Sequence, residues 1–130
     1  MMEKLFRGML ACAVACGWSA CSRIDEGESA RRAALSYYDC LIEGRYGDYV
    51  AGIAYCDSMT EDYRSQMVDL VAQYAARERE KRGGILSVQA LDDTLSGGMA
   101  SIFLEVLFAD STREEVVMPM VKCGDVWKMQ

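Results

Sequence analysis

The 130-residue chain contains no histidine. That absence removes the usual proton shuttle at neutral pH, the Ser/His and Cys/His nucleophile pairs and the commonest metal ligand. Cysteine does not fill the gap, because no spacing among the six cysteines resembles a zinc site. No metal or cofactor is expected. A basic surface is missing as well. The net charge is −6, and the run Arg77, Arg79, Lys81, Arg82 is interrupted by Glu78 and Glu80, which is the pattern of a solvated helix end and not of a phosphate site. Nucleic acid is therefore not an expected partner. Repeats and low-complexity tracts are absent, and proline occurs once, at Pro119.

What remains is the make-up of one globular domain, with 52% hydrophobic and 26% charged residues and length for a single core. The start of the chain has a different character. Residues 1–7 carry Lys4 and Arg7, and residues 8–18 follow as an uncharged, largely apolar run of signal-peptide length, too short to span a membrane. Trp18, Ser19, Ala20 and Cys21 close the run and resemble the lipobox of bacterial lipoproteins, in which the cysteine is lipidated and becomes the mature N-terminus. The resemblance implies a signal peptide over residues 1–20, lipidation of Cys21, a short acidic linker to residue 28 and one domain over residues 29–130. Cys16 is the competing lipidation site, and a buried helix or a signal cut without lipidation is the alternative. Removing residues 1–20 takes away Lys4, Arg7 and Glu3 and changes the net charge from −6 to −7. Ser22 stands where Asp would favour inner-membrane retention, so the resemblance implies the outer membrane, on either face.

Beyond the linker, apolar residues recur at helical spacing: Ala30, Ala33, Ala34, Tyr37 and Leu41, with Tyr38 and Ile42 beside them. Gly44 is placed to stop that helix. A short second helix is expected from an Asp48 N-cap to near Cys56. Ser58, Met59, Thr60 and Glu61 fit a capping box, and the helix they open carries Tyr63, Met67, Leu70, Val71 and Tyr74 on one stripe before Gly83 and Gly84. The period then changes to two. Ala100, Ile102, Leu104, Val106 and Phe108 alternate along residues 99–108 and must share a buried face. Residues 85–91, 114–122 and 126–129 read as the neighbouring strands. Pro119 lacks a donor, so its strand is an edge there or is bulged. Helices followed by a meander make an α+β domain, with N-terminal helices packed on an antiparallel sheet of three to four strands.

Two stretches carry a further resemblance. Residues 40–49, from Cys40 through Gly44 and Arg45 to Tyr49, resemble the passage from the long first helix to the second in the cystatin-like, nuclear transport factor 2-like cone. Residues 119–129, from Pro119 through Lys122, Gly124 and Trp127 to Met129, resemble the ending of small bacterial lipoproteins with that fold. The resemblance implies helices on the concave face of a curved sheet over nearly all of residues 28–129. It brings no catalytic signature.

Enzymes with this cone, such as ketosteroid isomerases, use an inward carboxyl whose pKa burial can raise. By spacing, Asp39 and Asp69 lie on polar helix faces and Glu105 opposite the apolar strand face, which leaves Glu114 and Asp57 as rim candidates. No catalytic residue is assigned. The chain reads as non-catalytic, with a small-molecule isomerase or dehydratase as the alternative. Tyr37, Tyr63 and Tyr74 are candidates to line the cone and orient an apolar ligand; the alternative is an amphipathic core with phenol oxygens at the surface. Cys40 and Cys56 are candidates for a disulfide in an oxidising compartment, or else two small buried apolar residues. Met99, Phe103 and Leu107, on the outer sheet face, form a candidate interface for a second copy or another protein, or are covered by the N-terminal segment. Taken together, these residues predict an exported module, anchored to a membrane of the cell envelope through lipid, that binds a small apolar ligand or an envelope protein.

Overall fold

A computed structural model describes residues 25–130. The candidate signal peptide and both candidate lipidation sites, Cys16 and Cys21, lie outside those residues. Helix α1 (Glu26–Glu43) starts earlier than its apolar stripe because Asp25 caps it, accepting from the Gly27 N–H at 3.3 Å. Glu26 and Glu28 occupy the first turn, where carboxylates oppose the positive end of the helix dipole. The acidic residues expected as linker therefore belong to the helix. Gly44 ends it at φ +78°, a left-handed conformation suited to glycine.

Helix α2 (Tyr46–Ala51) stops well short of Cys56. The chain is drawn away by β4 (Val126–Met129): the Gly52 carbonyl accepts from the Met129 N–H and the Ala54 N–H donates to the Met129 carbonyl, each at 2.8 Å. Ile53 thereby forms a parallel bridge with Met129. Cys56 opens a separate 3-10 turn, Cys56–Ser58. The cap of helix α3 (Glu61–Arg82) is Thr60, whose hydroxyl accepts from the Tyr63 N–H at 3.2 Å. Ser58, at the expected cap position, instead donates to the Tyr55 carbonyl at 2.9 Å.

Strands β1 (Ile85–Ser96), β2 (Met99–Phe108), β3 (Arg113–Cys123) and β4 pair antiparallel in sequence order. β1 continues past Leu91, where it was expected to end, because a register shift between Ala90 and Asp92 lets the ladder resume through Ser96. Pro119 pairs with Ser101 of β2, and on its other side its carbonyl accepts from the Gln130 N–H at 3.0 Å, just past the β3–β4 ladder, so its missing donor falls at the end of that ladder.

The core forms on the inner sheet face. Ile102 and Leu104 of β2, Met118 and Met120 of β3, and Trp127 and Met129 of β4 pack with Ala30 and Ala34 of α1. The alternation expected along β2 is observed at every position from Ala100 to Phe108. Burying each of the larger aliphatic side chains stabilises the fold by roughly 1.5–3 kcal/mol, and the two alanines give the helix a small-residue surface against the sheet. Helix α3 stands apart: none of its 22 residues is buried. No helix among the described residues is long and apolar enough to cross a membrane. The elements given above lie within residues 25–130, all of which a chain beginning at Ser22 contains.

Candidate functional site

Adjacent tyrosines on α1 point to different places, as a turn of about 100° per residue requires. Tyr37 faces β4. Its hydroxyl donates to the Trp127 carbonyl at 2.6 Å, and its ring lies so close to Gly52 that any side chain there would collide with it. Tyr38 faces the other way, toward α2 and α3. With Leu41 of α1, Tyr49 of α2, and Leu70, Val71 and Tyr74 of α3, it lines an open cleft of about 260 Å³. Burial, with smaller contributions from Tyr49, Tyr74 and Glu114, pushes the Tyr38 hydroxyl well above the ordinary tyrosine pKa. Tyr49 is raised by burial and then by Tyr74. All three cleft phenols are thus neutral donors at physiological pH.

Leu41 and Tyr74 also line a neighbouring hollow of about 140 Å³, bordered by Glu78, Arg79, Gly83 and Gly84. The charged groups at this end are unevenly matched. Arg82 donates to Glu114 at 2.8 Å and lies over the Phe108 ring at 4.4 Å. Its Nε is 3.4 Å from Glu78 Oε2, and that carboxylate oxygen is buried without a hydrogen-bond partner. Burial, then Glu78 and Glu114, raise the Tyr74 hydroxyl, and Arg82 opposes them.

Of the three tyrosines expected to line the cone, only Tyr74 reaches the cleft. Tyr63 is exposed at the start of α3, and Tyr37 is engaged with β4. Tyr38 and Tyr49 take their places. Spacing puts Tyr37 and Tyr38 in one apolar stripe, and the docking of residues 52–54 against β4 decides between them. Cys40 and Cys56 are buried free thiols and Cys123 is an exposed one, which matches the reading of the pair as small buried residues; Cys56 lies in the 3-10 turn and not at the end of α2. Met99 remains exposed on the outer sheet face, with Phe103 and Leu107 half-buried. Val117, opposite Phe103 on β3, is 55% exposed, so this apolar strip is uncovered among the described residues.

Among the carboxylates, Asp39, Asp57 and Asp69 are exposed. Glu105 lies on the outer face with Arg113 at 2.5 Å, and Glu114 is held by Arg82. The carboxylate on the inner sheet face is Asp93, which sequence spacing did not single out. It pairs opposite Ile102, a core residue, and its partner is Arg31 of α1. Only the register shift before Asp92 brings it inward, and nothing in the local sequence marks that shift. Among the described residues no tyrosine hydroxyl bonds a carboxylate, and no group of acidic and cysteine side chains could hold a metal ion.

No protein-family model matches the chain, and no curated protein matches it in sequence. A solved structure does. A protein of Campylobacter jejuni, provisionally named an NTF2-like transpeptidase, superposes with a TM-score of 0.63 at 17% identity, over 76% of this chain and 94% of its own. That likeness and the helix-then-meander order establish an α+β fold of the nuclear transport factor 2-like kind.

Proposed function

We propose that this chain is an exported, lipid-anchored module of the bacterial envelope whose helical cleft holds a small, partly apolar molecule without chemistry of its own. The observation that carries the reading is the cleft. Three tyrosines and three aliphatic side chains surround about 260 Å³ of open space, just below the roughly 300–1,000 Å³ typical of small-molecule sites. Helix α3, which closes one side, buries none of its residues, so it has apolar surface still to gain from a bound molecule.

The alternative of an isomerase or dehydratase needs an inward carboxylate beside a tyrosine. Asp93 is inward but is bound to Arg31, on the β1 side of α1, and Glu78, which borders a hollow with Tyr74, pairs with Arg82 and accepts no tyrosine hydroxyl. The name of the Campylobacter jejuni protein suggests transpeptidation, which calls for an activated nucleophile. Cys40 and Cys56 are buried here, and the chain has no histidine to activate either of them or Cys123.

Native mass spectrometry of the chain beginning at Ser22, purified from exporting cells, tests the binding reading. A bound mass that is lost on denaturation is expected, and Val71→Trp, which fills the cleft, should purify without it. An adduct equally abundant in both proteins would place binding elsewhere, and a bare protein that also takes up no fragment in solution would contradict the reading.

A further inference from the structure

Resting on that reading of the cleft, we infer that its ligand is an organic cation, with an aromatic or aliphatic body among Tyr38, Tyr49 and Tyr74 and a protonated amine at Glu78. The cleft and the neighbouring hollow share Leu41 and Tyr74, so a molecule seated in one extends naturally into the other. The first space is aromatic. The second is bordered by Glu78, whose side chain is 16% exposed and whose buried Oε2 accepts no hydrogen bond.

Arg82 pairs with that oxygen by charge and donates it no hydrogen bond. Its short bond goes to Glu114 and its plane lies on Phe108, leaving Nε 3.4 Å from Glu78 outside hydrogen-bonding geometry. Arg79 borders the hollow but is exposed, and it is not among the charges that act on Tyr74. At Tyr74 the two carboxylates outrank Arg82, and at Tyr38 the charged neighbour is Glu114. An ammonium group gains from the tyrosine faces and from the Glu78 carboxylate beside them. A neutral ligand uses none of the charge, and an anion is repelled.

The test is a titration of the chain beginning at Ser22 with three shape-matched probes, 4-phenylbutylamine, 4-phenylbutanol and 4-phenylbutanoate, followed by NMR of the tyrosine rings and the Val71 methyls. The amine is expected to bind at least roughly tenfold tighter than the alcohol, and the carboxylate weakest. Glu78→Gln should bring the amine to the alcohol's affinity and leave the alcohol unchanged. Equal affinities of amine and alcohol, or a preference for the carboxylate, would overturn the cation inference while leaving a binding cleft. No response to any of the three would overturn both. If Glu78→Gln lost the amide dispersion of the folded chain, the order of the three probes on the unaltered chain would decide alone.

Discussion

At the scale of the residue, the division of labour between Tyr37 and Tyr38 governs the site. Tyr37 is structural. Its hydroxyl joins α1 to the Trp127 carbonyl at 2.6 Å, and its ring packs on Gly52, whose carbonyl also bonds β4. Tyr37→Phe keeps the ring and removes one partly buried hydrogen bond, so the expected loss is about 1 kcal/mol in a urea melt. The amine titration at the cleft should be unchanged by it. Little of this was legible beforehand, because helical spacing gives a stripe and not the partner of each residue on it. The Trp127 carbonyl lies 90 positions along the chain. Asp93 was hidden for a related reason: strict alternation from Val88 would turn it outward, and only the register shift after Ala90 brings it in.

At the scale of the element, burial was fully legible along β2 and not along α3. Alternation of five apolar residues specifies one face, and the whole of β2 obeys it. The stripe on α3, from Tyr63 to Tyr74, specifies a face equally well, yet Leu70 stays 56% exposed. An apolar stripe shows what a helix can bury, not whether the fold supplies enough surface to bury it. The ends of α3 are held, by Thr60 at its start and by Arg82 with Gly83 at its finish, while its middle borders open space. Amides of residues 66–73 should therefore exchange at least roughly a hundredfold faster than those of β2, because local openings range from near zero to the global stability. Saturation with 4-phenylbutylamine should slow them. Hydrogen exchange as slow in α3 as in β2, with and without the amine, would mean that the helix needs nothing from the cleft.

At the scale of the whole molecule, two apolar surfaces compete for the role of binding site. One is the tyrosine-walled cleft between the helices, and the other is the outer sheet face around Met99, Phe103 and Val117. The cleft is concave, is walled by three tyrosines and adjoins a hollow bordered by Glu78. The outer face is pleated and open. The order of helices and strands that separates these surfaces was readable from periodicity alone, whereas the concavity depends on how α2 and α3 dock. The most direct measurement is an isotope-filtered NOE spectrum of the chain beginning at Ser22 with 4-phenylbutylamine bound. Contacts from the ligand's ring to the Leu41 and Val71 methyls and the Tyr49 ring are predicted. Contacts confined to Phe103 and Val117 would place the site on the sheet's outer face and contradict the account.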